Sequence, residues 1–201
     1  MVKRKKHQAL IITLSVCLAM IFSWILLFSI PGNLDEYSVY YAQHLPHKGG
    51  TNPVMVAVFN NMEYIYMPNE QPYDAAGIRK MKNNNKEEVY FQVDDIRDPG
   101  YISIGRGENM TAELSNGEDD HGFGYSLNVF NGPLYNFSSN GTLVSMGSPG
   151  YAGYTRTPDQ KSKRLLNEKL NEMYGQIVAY RQVPKINLQW IYNIFNYWRF
   201  N

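Results

Sequence analysis

Residues Ala9–Ile30 form an unbroken run of 22 positions without a charged side chain, and no other feature limits the possible folds of the chain as much. At 1.5 Å per residue, a helix of that length spans roughly 33 Å, close to the ~30 Å hydrocarbon layer of a bilayer. A cleavable signal peptide has a shorter apolar core that ends in small residues. This run instead leaves through Phe28, Ser29, Ile30 and Pro31. A lipidated cysteine would stand near the end of the run after a small residue, whereas Cys17 lies mid-run after Val16. A core helix of this length would carry a polar face. The expectation is therefore an uncleaved, single-pass transmembrane signal-anchor over residues 9–30.

Charge sets the expected orientation. Four of the 19 basic residues, Lys3, Arg4, Lys5 and Lys6, precede the run, and all 18 acidic residues follow Pro31, starting with Asp35 and Glu36. Basic flanks stay on the cytoplasmic side, so residues 1–8 read as a basic cytoplasmic tail and the rest as extracytoplasmic. Beyond the run, 15 basic groups stand against 18 acidic ones, a net of −3. A nucleic-acid partner requires a basic footprint, and this balance argues against one. Cys17 is the sole cysteine. A domain outside the cytoplasm that forms no internal disulfide fits a bacterial cell envelope better than an animal cell surface.

The chain beyond the anchor divides by pattern. Residues 31–52 read as a stalk or linker, with Tyr37, Tyr40 and Tyr41 at helical spacing and a break at His44–Gly50. Residues 53–201 read as the exported domain. Its expected strands are Val54–Phe59, Glu63–Met67, Glu88–Val93, Tyr101–Ile104, Gly124–Phe130, Leu134–Phe137 and Thr142–Met146, short segments rich in Val, Ile, Tyr and Phe. A short helix is expected at Asp74–Lys82. Thr157 and Pro158 are placed to cap and start a helix over about 158–180, in which Leu165, Leu166, Leu170, Met173, Tyr174, Ile177 and Val178 recur at helical spacing. A second helix follows over about 186–200. Its Leu188, Ile191, Ile194, Phe195 and Trp198 share one face, expected to close the core of the sheet. The competing reading lays that face on the membrane, although Arg199 is its only cation. The fold class is α+β: an N-terminal transmembrane helix, an antiparallel β-rich exported domain, and one or two C-terminal helices.

Groups able to carry chemistry are sparse. Glu118, Asp119, Asp120 and His121 lie in a glycine-flanked stretch. Contiguous acids diverge, however, whereas hard-cation loops space their oxygens at alternate positions, so a solvated loop is expected and no metal site. Asp94, Asp95 and Asp98 precede a Pro99–Gly100 turn. Paired with Asp119, Asp120 or His121, they are candidates for a hydrolase acting on envelope polymer, which needs an acid and a base within about 5–10 Å. Gly147-Ser148-Pro149-Gly150 is not a nucleophile elbow, and Gly105-Arg106-Gly107 lacks the rest of a dinucleotide fingerprint. No cofactor is implied. Tyr151, Tyr154 and Arg156, in a glycine-containing loop, are candidate ligand contacts, because exposed tyrosine offers area and a hydroxyl at modest entropic cost.

The segment Tyr135–Gly147, with Tyr135, Phe137, Asn140-Gly141 and Leu143, resembles one aromatic hairpin of the repeats that bind cell-wall choline or glucan. Those modules stack several copies. This chain shows no second copy, so neither the family nor its ligand is carried over. A pilin-like subunit would show a processing site before the apolar helix and an acidic residue near its start. Lys6-His7-Gln8-Ala9 offers neither. The functional expectation is a membrane-anchored envelope protein, non-enzymatic, that binds or assembles with a partner protein or wall glycan. The alternative is the tethered hydrolase.

Overall fold

The computed structural model describes residues 2–70, 78–92, 100–106, 109–119, 122–147 and 157–201. Helix α1 (Val2–Trp24) passes through a π-helical stretch at Ile25–Ser29 into α2 (Ile30–Glu36). Residues Ile11–Glu36 are 26 helical positions, long and apolar enough to cross a membrane, and none of their most apolar stretch is buried among the described residues. The helix leaves the domain as a rod, with Leu14, Phe22 and Leu27 about as exposed as in an isolated helix.

Three short helices follow or continue this rod: α2, α3 (Ser38–Gln43) and α4 (Pro53–Asn60). Residues 31–52 are not a loose stalk. Leu34, Val39, Tyr41, Ala42 and Leu45 are buried in the main hydrophobic core, so the end of the apolar helix is built into the domain. Val54–Phe59 was expected as a strand and is α4. Its start is fixed by Asn52, whose side chain accepts the Met55 N–H at 3.0 Å, with Pro53 in the first helical turn. Met55, Val56, Ala57, Val58 and Phe59 are all buried. A segment apolar on every side has no period to distinguish strand from helix. Glu63–Met67, also expected as a strand, is a turn segment in which the Tyr64 and Ile65 N–H groups return to the Asn61 carbonyl. Its alternation holds for burial, with Ile65 and Met67 inward and Tyr64 and Tyr66 outward, but among the described residues no strand pairs with it.

Seven strands form one antiparallel sheet in sequence order: β1 (Ile78–Lys82), β2 (Glu88–Gln92), β3 (Tyr101–Arg106), β4 (Asn109–Asp119), β5 (Gly122–Val129), β6 (Leu134–Ser138) and β7 (Leu143–Gly147). The expected helix at Asp74–Lys82 is overturned over its described part, since Ile78–Lys82 alternates as strand β1 with Arg79 and Met81 inward. β4 was not expected as a strand. Its Glu, Asn, Ser and Gly residues disfavour one, yet Ala112 and Leu114 alternate into the core. Register aligns Arg79, Phe91, Ile102, Leu114, Leu127 and Tyr135 across six strands. Apart from Arg79 these are apolar or aromatic, and all are buried. The ladder shifts register at Ile104/Gly105 and Asn136/Phe137, places where a bulge bends a sheet around its helices.

Helix α5 (Gln160–Ala179) covers the inner face with Leu166, Leu170, Met173, Tyr174 and Ile177. Its cap is Asp159 and not Thr157: the Asp159 carboxylate accepts the Ser162 N–H at 2.7 Å. The Tyr135 hydroxyl donates to the Ser162 carbonyl at 2.7 Å, joining β6 to this helix. Helix α6 (Gln189–Phe200) closes the fold against α3. The result is α+β, as expected: an apolar N-terminal helix, an antiparallel sheet and C-terminal helices.

Candidate functional site

Helix α6 turns only part of the expected apolar face toward the protein. Tyr192 and Phe200 are buried, and Leu188 and Ile191 are partly buried against the core. Ile194, Phe195 and Trp198, expected to close the sheet, are 63%, 71% and 88% exposed. Trp190 and Tyr197 are exposed beside them. Two polar residues of the helix, Gln189 and Arg199, reach the protein beside Tyr192 and Phe200. Gln189 Nε2 donates to the Tyr41 carbonyl at 2.9 Å and to Asn193 Oδ1 at 2.8 Å. Arg199 donates to the Ser139 carbonyl at 2.6 Å and the Tyr125 hydroxyl at 3.0 Å. The physical reason is competition for the inner position: the Gln189 amide and the Arg199 guanidinium find partners on α3, β5 and the β6–β7 turn. The aromatic face, having no such partners, is left outside.

An open groove of about 620 Å³ runs between this helix and the foot of the apolar rod. Ile30, Pro31 and Leu34 of α2 form one wall, Val56 and Ala57 of α4 the floor, and Trp190, Ile194 and Phe195 the other wall. Asp35, Ser38, Asn60, Asn61, Asn196 and Arg199 give the groove a polar side. The Ser38 hydroxyl is buried with no hydrogen-bond partner among the described residues. Burial pushes the Tyr192 phenol up to about 12; Asp35 adds to the rise and Arg199 opposes it. The groove offers apolar contact with a polar edge that carries the Asp35 carboxylate, the Ser38 hydroxyl and the Arg199 guanidinium.

A second surface is the outer face of the sheet. Register places Lys80, Tyr90, Ser103, Glu113 and Asn128 in one row, and Gln92, Tyr101, Ser115, Ser126 and Asn136 in the next. These side chains are polar or aromatic. The Ser115 and Ser126 hydroxyls lie 3.3 Å apart, Asn136 Nδ2 donates to Ser145 Oγ at 3.0 Å, and the Lys80 ammonium sits 5.4 Å from the Tyr90 ring centre. The Tyr90 hydroxyl donates to the Glu88 carboxylate, which raises its pKa to about 12. No described helix packs on this face. Single-sided coverage is normal for an antiparallel sheet; this face is rich in hydroxyls and amides that are half-buried, Ser103 fully so.

Most residues singled out in the sequence lie outside the described residues: Asp94, Asp95, Asp98, Asp120, His121, Tyr151, Tyr154 and Arg156. Asp119 is the exception for its backbone, which ends β4 opposite Gly122. The expected loop at 118–121 is thus partly strand, Glu118 pairing with Phe123. His44 and His47 make local contacts, their Nδ1 atoms 2.7 and 2.8 Å from the Tyr40 and Leu45 carbonyls. Among the described residues no three His, Cys, Asp or Glu side chains come together as a metal site. The groove is what the sequence reading missed. The available signal was the inward set Gln189, Asn193, Asn196 and Arg199 opposite an aromatic face.

Compared with known proteins, the chain matches no family model, no curated protein and no solved structure.

Proposed function

We propose that the chain is a single-pass membrane protein of a cell envelope, with residues 1–8 cytoplasmic and the sheet domain outside, acting as a non-enzymatic binding or assembly subunit. The observation that carries this reading is the way the apolar helix is built in. It leaves the domain unburied along its length, yet its outer end contributes Leu34 to the core and Asn33 to a 2.6 Å hydrogen bond from the Tyr41 hydroxyl. Such a joint holds a domain close to the bilayer in one attitude. That suits a subunit meeting a partner at the membrane better than an enzyme reaching into a wall polymer.

The flat outer face of the sheet is the surface best suited to the partner. Its Tyr, Ser, Asn and Gln side chains supply hydrogen bonding and aromatic area to a protein or a glycan. A photo-crosslinking residue at Ser126 or Asn128 of the full chain, in its native membrane, tests this. A discrete adduct with one envelope protein, or with glycan strands, is the expected result. No adduct at either position, together with release of soluble fragments from envelope polymer that is lost in Asp94→Asn or Asp98→Asn, would replace this reading with the hydrolase.

A further inference from the structure

We infer that α6 lies in the bilayer interface beside the anchor, its Trp190–Ile194–Trp198 face in contact with lipid. The inference rests on the reading of the apolar run Ala9–Ile30 as a membrane span. Two independent observations lead to it. First, the polarity of α6 is inverted for a helix in water. Every side chain of its outer face, Trp190, Ile194, Phe195, Tyr197 and Trp198, is apolar or aromatic and exposed. Gln189 and Arg199 instead satisfy their donors on the protein. A helix so arranged has a nonaqueous neighbour on its outer side.

Second, the position of that face identifies the neighbour. The groove beside Trp190, Ile194 and Phe195 has Ile30 and Pro31 as its opposite wall, and these residues end the uncharged run. The groove therefore opens at the level where the hydrocarbon layer ends, and the surface next to it there is the bilayer itself. Ile186, just before the helix, is a further exposed apolar side chain. It is 69% exposed, and its carbonyl lies 3.3 Å from the Tyr41 hydroxyl that also bonds Asn33 of α2. Trp and Tyr are the side chains favoured at this depth, where an apolar ring meets a wet headgroup layer. Arg199, the one cation of the helix, lines the same groove but is held by the Ser139 carbonyl and the Tyr125 hydroxyl, so the contact draws mainly on apolar area.

The chain has three tryptophans, Trp24, Trp190 and Trp198, which makes the test direct. The full chain is reconstituted into zwitterionic phosphatidylcholine vesicles with acyl chains brominated near the carbonyl end, as Trp24→Phe and as the double variant Trp190→Phe/Trp198→Phe. The expected result is that Trp24→Phe emits at short wavelength and loses about half or more of its fluorescence to the bromines, since interfacial rings sit about 5–10 Å into the headgroup boundary. The double variant reads Trp24 alone and reports the anchor. If Trp24 is quenched while Trp190 and Trp198 emit as water-exposed indoles, the inference fails and the anchor stands. Blue-shifted emission without quenching in Trp24→Phe would show a protein contact, a second copy included, and would likewise overturn it. An unquenched Trp24 would remove the anchor and the inference together.

Discussion

The rings of Tyr41 and Tyr192 stack at 5.4 Å between centroids with 29° between their planes, joining the first helices after the apolar rod to the last helix of the chain. The Tyr41 hydroxyl adds three links: it donates to Asn33 Oδ1 at 2.6 Å, accepts the Leu188 N–H at 3.2 Å, and lies 3.3 Å from the Ile186 carbonyl. One fully buried phenol thus fixes both the exit of the rod and the start of α6. The face that α6 presents to its surroundings is set by this contact and not by its own apolar pattern.

Tyr41→Phe keeps the ring stack and removes the hydroxyl. The Leu188 N–H loses its acceptor and Asn33 its donor, at a cost of about 1–3 kcal/mol. Thermal unfolding of the full chain in detergent should move down by roughly 2–4 °C per kcal/mol lost. An unchanged midpoint would show that water replaces the hydroxyl at no cost and that the joint is weaker than described.

Arg79 is the one charged side chain aligned with the apolar row of the sheet, and it is 6% exposed. Its guanidinium donates to the Met62, Glu63 and Ile65 carbonyls and holds the Glu70 carboxylate through two bonds of 2.7 and 2.8 Å. It therefore pins the turn after α4 to the edge strand β1. Arg79→Met strips three carbonyls of their donor and should cost about 2–4 kcal/mol in denaturant unfolding. Glu70→Gln, at a partly exposed carboxylate, should cost less than about 1 kcal/mol. Equal losses in the two variants would mean that the ion pair, and not the carbonyl contacts, carries the stability.

Gly124 in β5 lies so close to β6 that an added Cβ would stand 2.1 Å from the Phe137 carbonyl oxygen. Gly124→Ala must push two paired strands apart, and about 1–3 kcal/mol of destabilisation is expected. Gly32, in α2, has nothing within 4 Å of such a Cβ, and alanine there should stabilise the helix by up to about 1 kcal/mol. Opposite signs in parallel melts are the expected outcome.

Stability should also fall in alkali. Burial holds the Tyr192 phenol up at about 12 and drives Tyr174 up as well. A phenol whose folded pKa lies above its unfolded value of about 10 binds its proton more tightly in the native state. Its contribution is complete below about pH 10 and is lost as pH rises through the folded value near 12. Tyr192→Phe should flatten the decline of the unfolding midpoint between about pH 10 and 12, and an unaltered slope would place the ionisation elsewhere.

The sequence disclosed those parts of the fold where local pattern and burial agree. The apolar rod, strands β2, β3, β5, β6 and β7, and helix α5 all follow from length, alternation or helical spacing. It misled where one segment is buried on every side or where tertiary partners outweigh pattern. Val54–Phe59 has valines at alternate positions and reads as a strand, but the Asn52–Pro53 start makes it α4. Asn109–Asp119 looks like a polar loop, but two strands flank it and it pairs with both. Helix α6 has the clearest apolar face in the domain. That face points outward because Tyr41, Ser139 and Tyr125 bind the polar side instead.

The central claim is that the domain stands outside the cytoplasm on a membrane-spanning helix. It is tested most directly by replacing Cys17 with serine, placing a single cysteine at Val144, which is 47% exposed on β7, and treating intact spheroplasts with a membrane-impermeant maleimide. The account predicts labelling of the intact cells, equal to that after lysis, on a protein that stays with the membrane in alkaline carbonate. Labelling seen only after lysis, or a protein released by carbonate, would contradict it.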